Sequence, residues 1–94
     1  MEDAPVEVPI EDTFDLHPFR SAEVRDAALE YLIAARDRGF RQVRLIHGRG
    51  FGVQRENIQA MLRKLDWVED FHDADGSGGG WGATVVLIRP ARSE

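Results

Sequence analysis

Residues 41–52 read RQVRLIHGRGFG. The first seven, rich in branched apolar side chains, read as a strand. Gly48, Gly50 and Gly52 then open a loop that runs into a helix, whose buried stripe is Ile58, Met61, Leu62 and Leu65. Upstream, Val24, Ala27, Ala28, Tyr31, Leu32 and Ala35 recur at helical spacing between Ser21, read as the cap, and Gly39, read as the stop. Before that helix residues 13–17 alternate, with Phe14 and Leu16 on one face and Thr13, Asp15 and His17 on the other. Pro18 ends this strand. Downstream, residues 68–74 form a third strand and residues 76–82 a glycine loop around Trp81. Ala83–Ile88 (ATVVLI) has the continuous apolar character of a strand buried on both faces.

The order is strand–helix–strand–helix–strand–strand. The first two strands, joined through a helix, should be parallel with a right-handed crossover. The last two, joined by a glycine loop, should form an antiparallel hairpin. The expected fold is α/β, a two-layer sandwich of a four-stranded mixed sheet with two helices.

Ninety-four residues fit one small domain. With no cysteine there is no disulfide framework, thiol nucleophile or thiolate ligand. No apolar run approaches the ~20 residues needed to span a bilayer, and the acidic start does not read as a signal peptide. The expectation is a cytoplasmic domain with no membrane partner, a monomer being favoured. The net charge of −5 is unevenly placed. Residues 1–15 hold six of the 17 acids and no base, so the remainder is nearly neutral. Residues 1–12 read as an acidic, extended or disordered leader, 13–90 as the domain, and 91–94 as a tail. All basic residues but Lys64 are arginine, which suits bidentate contact with phosphate or carboxylate.

Asp15 and His17, two apart on a strand, project from one face about 7 Å apart. His47 ends the neighbouring strand, so His17 and His47 fall at carboxyl ends of the sheet, where open α/β sheets bind ligands. A carboxylate beside an imidazole is a pairing used in general acid–base catalysis. In the following loop, glycines let backbone amides approach a ligand, and a helix amino-terminus is a ready anion site. Arg49 adds a bidentate phosphate donor. The GxxxxGK[ST] and GxGxxG spacings are both missing, which excludes the NTPase loop and the dinucleotide fingerprint. Trp81 could stack on a base or cap the core edge. His72 with Asp70, Asp73 and Asp75 reads as a solvated polar patch, since no metal-ligand spacing appears and no metal site is assigned.

Phe14-Asp15-Leu16-His17, then IHGRGFG at 46–52, then GGWGATVVLI at 79–88, together resemble the small MutS-related (Smr) domain family over about residues 13–90. The resemblance implies a fold like the carboxy-terminal domain of translation initiation factor three. It also implies binding of DNA or RNA and, in several members, endonuclease action. The family's Asp-x-His element falls on Asp15 and His17, and its HGxG element on His47, Gly48, Arg49 and Gly50. The family usually has Gly after the first His; here Pro18 removes that backbone donor.

The expected activity is therefore phosphodiester cleavage by a nucleic-acid endonuclease, a hydrolase. Asp15, His17 and His47 would be the catalytic residues; Gly48, Arg49, Gly50, Gly52 and Trp81 would bind phosphate or nucleic acid. Mg2+ or another divalent cation is the one cofactor this chemistry could call on. The alternatives are a non-catalytic nucleic-acid-binding module and a protein-interaction domain using the acidic leader.

Overall fold

The computed structural model describes residues 10–48, 53–74 and 82–90. In chain order they form β1 (Thr13–Asp15), α1 (Ser21–Asp37), β2 (Gln42–Ile46), α2 (Val53–Leu62), β3 (Val68–Asp73) and β4 (Ala83–Ile88). The strands make one sheet in the order β1-β2-β4-β3. β1 runs parallel to β2, with Asp15 opposite Ile46, while β4 runs antiparallel to both β2 and β3. The expected fold class, parallel pair and hairpin are all present.

β4 is an interior strand, flanked on both sides, and this explains why its sequence is apolar at every position but Thr84. Its alternate residues serve two clusters. Val86 and Ile88 join Leu16, Val43 and Leu45 under α1 and α2, packed against Val24, Ala28, Leu32, Ala35, Ile58 and Leu62. Ala83 and Val85 join Ala74 on the opposite face, with Ile46 and Leu87 beside them. Both helices contribute to the first cluster, so they share one layer.

Two boundaries differ from expectation. The cap of α1 is Arg20, with extended backbone (φ −67°, ψ 152°), and Ser21 is the first helical residue. The Glu23 carboxylate accepts the Arg20 backbone N–H at 3.4 Å, the half of a capping box that the third helical residue provides, and the Glu23 N–H itself goes to Arg20 O at 2.8 Å. β1 stops at Asp15, although the Leu16 N–H still reaches Ile46 O at 2.7 Å. Beyond it the His17 N–H turns back to Asp15 Oδ1 at 2.9 Å, and Pro18 has no N–H to donate. The other end of α1 behaves as read. Gly39 takes φ +88°, the Gly39 N–H bonds Arg36 O and the Phe40 N–H bonds Ala35 O. These are the paired bonds of a Schellman stop.

Residues 10–12, assigned to the leader from sequence, are docked on the domain. Ile10 packs against the core. Asp12 O accepts the Arg44 N–H at 2.8 Å, and Glu11 O accepts the Tyr31 hydroxyl. The Tyr31 ring stacks on Phe14 with centroids 4.5 Å apart. Residues 1–9 and the tail at 91–94 lie outside the described residues.

Candidate nucleic-acid interface

Strand direction gathers four chain segments at one end of the sheet. β1, β2 and β3 finish there and β4 starts there, so residues 15–17, 47–48, 73–74 and 82–84 form one rim. Ladder bonds continue onto it: the N–H groups of His47 and Gly48 both donate to Gly82 O at 2.9 Å, and the Ala74 N–H donates to Ala83 O at 3.0 Å.

The predicted trio shares this rim, but Asp15 and His47 lie on opposite faces of the sheet and His17 lies in the turn beyond β1. Paired residues of adjacent parallel strands project the same way, so Asp15 shares its side with Ile46, away from the helices. Asp15 and His17 are exposed. His47 follows Val43 and Leu45 at period two and turns under the helix layer, where it is 6% exposed. His47 is therefore not an open acid or base at the surface.

Its surroundings explain the burial. His47 Nδ1 lies 3.0 Å from Gly48 O, and Nε2 lies 2.9 Å from Thr84 Oγ1. Gln59 Nε2, from α2, donates to the same Thr84 oxygen at 3.2 Å and to Asp73 Oδ1 at 3.0 Å. Arg55 closes the chain with a bidentate pair to Asp73, at 2.8 Å from Nε and 2.7 Å from Nη2. Burial lowers the His47 pKa below its ordinary value, the Arg55 charge adds to this, and the Gly48 carbonyl and Asp73 partly oppose it. The Asp73 carboxyl is held below its usual range first by hydrogen bonding to Arg55.

Gly48 takes φ +83°, the left-handed turn its position requires. Its N–H is already donated to Gly82, which corrects the expectation that this amide is open to a phosphate. Arg49, Gly50, Gly52 and Trp81 lie outside the described residues, as does Asp75. Within the remaining polar patch, His72 Nδ1 bonds Asp73 O at 3.0 Å and Asp73 belongs to the chain above. Among the described residues no three His, Asp or Glu side chains come together to hold a metal ion.

Sequence reasoning passed over Gln59, Thr84 and Arg55. The first two left a signal: Gln59 lies inside the apolar stripe of α2, and Thr84 is the one polar residue of ATVVLI. Beside the rim on the helix side, a polar cleft opens between the first turns of α1 and α2, lined by Ser21, Ala22, Arg25, Gln54 and Asn57.

The Smr domain profile matches residues 14–89. This chain belongs to the Smr domain family. It is 43% identical over 74 residues to the endonuclease MutS2 of Thermus thermophilus, a match covering 76% of this chain and 10% of that protein. It is 36% identical over 86 residues to the endonuclease MutS2 of Gemmatimonas aurantiaca, covering 92% and 10%. The chain thus spans about a tenth of the length of these curated relatives. Among solved structures, the Smr domain of Thermus thermophilus MutS2 superposes with a TM-score of 0.80 at 39% identity, covering 85% of this chain and all of that one. YdaL, a stand-alone small MutS-related protein from Escherichia coli, gives 0.78 at 26% identity, covering 86% of this chain and 66% of that one. In this Smr domain the described residues contain no helix long and apolar enough to cross a membrane.

Proposed function

We propose that this Smr domain binds DNA or RNA across the carboxyl rim of its sheet and cleaves phosphodiester bonds there. The observation that carries the reading is the exposed Asp15–His17 pair at the end of β1, one strand away from the glycine turn that ends β2. Kinship with proteins named endonuclease MutS2 supports it. An exposed imidazole at His17 is suited to exchanging protons with the attacking or leaving oxygen. Asp15 is a positioning residue, since its Oδ1 accepts the His17 N–H and fixes the main chain there. His47 holds the Gly48 turn from beneath, and Arg49, Gly50 and Gly52 with Trp81 supply nucleic-acid contacts. The Arg25 cleft, between two helix amino-termini, offers a neighbouring backbone phosphate a cation and partial positive charge.

A divalent cation would be held chiefly by the substrate's own phosphates, whose charge it would offset. Supercoiled plasmid and labelled RNA, incubated with the chain with and without magnesium, test the activity. Loss of His17 should lower cleavage by about 10²-fold or more. Unchanged cleavage by His17→Ala refutes the assignment. Salt-sensitive binding without cleavage by the wild-type chain favours the non-catalytic module, a reading to which Pro18, with no amide to offer after His17, lends weight.

A further inference from the structure

The buried polar side chains of the described core are His47, Gln59 and Thr84, and all three are bonded to one another in sequence. The direction of each bond follows from its partners. Gly48 O can only accept, so His47 Nδ1 carries a hydrogen. In a neutral ring Nε2 is then bare and accepts the Thr84 hydroxyl hydrogen. That hydroxyl oxygen in turn accepts from Gln59 Nε2, whose other hydrogen goes to Asp73. Arg55 anchors Asp73 through two bonds. Every donor in this chain points toward an acceptor, and four elements contribute to it: α2, the end of β3, the start of β4 and the end of β2.

We propose that Thr84 and Gln59, braced by Asp73, are positioning residues that hold His47 as the neutral Nδ1–H ring and thereby fix the Gly48 turn at the nucleic-acid rim. The functional part rests on the reading above; the structural part does not. Gln59 is the only member that touches both Thr84 and Asp73, so it transmits the Arg55–Asp73 anchor to the ring. Removing the Thr84 hydroxyl leaves Nε2 as a buried acceptor without its donor and frees the ring to turn off Gly48 O.

Nitrogen-15 NMR of the free wild-type chain should show His47 with a protonated Nδ1, a bare Nε2 and a ring N–H slow to exchange with water. Thr84→Val should speed that exchange by about tenfold or more, the scale of a lost bond to a buried acceptor, and shift both ring nitrogens. Thr84→Ser should restore the wild-type pattern. Gln59→Met, which removes the donor at the other end, carries the same expectation should Thr84→Val not fold. A wild-type ring protonated on Nε2, or an unaltered His47 signature in the folded variant, overturns the proposal. Affinity for a labelled oligonucleotide should fall in Thr84→Val and recover in Thr84→Ser; unchanged affinity beside an altered ring severs the link to the rim. Because the ring is read without nucleic acid, a chain that never binds or cuts still decides the structural part.

Discussion

His47 Nε2 and Thr84 Oγ1 stand 2.9 Å apart across 37 residues of chain. The bond joins the end of β2 to the start of β4 beside the two main-chain bonds that His47 and Gly48 make to Gly82. One side-chain bond and two backbone bonds therefore close the same junction, and the imidazole sits there in its neutral form.

That neutrality has a pH signature. Burial lowers the folded-state pKa of His47 from its ordinary 6.5, so the unfolded chain takes up the proton first as pH falls. The stabilisation is complete above 6.5 and is lost as pH falls through the depressed folded value. Thermal midpoints should decline from about pH 7 to about pH 5. A His47→Gln chain, less stable throughout, should decline less steeply over that range; equal slopes would show that His47 does not titrate with unfolding.

Tyr31 gives the opposite end of the scale. Burial first, then the charges of Asp12 and Glu11, push its phenol up from 10.0 to about 12. Its folded value lies above the unfolded one, so this contribution is whole below pH 10 and is lost as pH rises through about 12. It is the chain's single tyrosine, so phenolate absorbance reports it directly. A titration midpoint at the ordinary value would mean that residues 10–12 are not docked on α1.

Gly39 tests the helix stop. A Cβ there would meet nothing within 4 Å, yet φ is +88°. Gly39→Ala should therefore cost about 1 kcal/mol through backbone strain alone, read as a lower urea midpoint at unchanged slope.

The fold was legible because its signals are local and periodic: the α1 stripe from Val24 to Ala35, the Gly39 stop, and ATVVLI as a strand buried on both sides. The α1 cap was misread because a serine at position 21 fits the preference, while the bond that matters comes from Glu23. At the site, Asp15 ends β1 and is exposed, whereas His17, read as the last residue of that strand, lies in the turn closed by the Phe19 N–H to Leu16 O bond. His47 was legible as a strand end, and its direction was legible too, since it follows Val43 and Leu45 at period two on the apolar side of β2; grouping it with Asp15 and His17 passed over that pattern. The polar chain through Gln59 and Asp73 is tertiary throughout, joining residues 14 apart with others 25 apart. No local pattern encodes it.

Arg25 tests how far the interface extends. If the cleft between the helix amino-termini takes a backbone phosphate, Arg25→Ala should weaken binding of every oligonucleotide alike. It should also reduce the steepness of the salt dependence by about one ion. A fluorescence-anisotropy titration at several salt concentrations measures both; an unchanged slope confines the interface to the sheet rim.

Amide chemical-shift mapping with a short oligonucleotide tests most directly whether nucleic acid binds at the carboxyl rim of the sheet. Shifts should concentrate on Asp15 to His17, Gly48 and Gly82 to Thr84, at the carboxyl rim. Shifts centred instead on the far end of the sheet, at Gln42, Val68 and Ile88, would contradict the account.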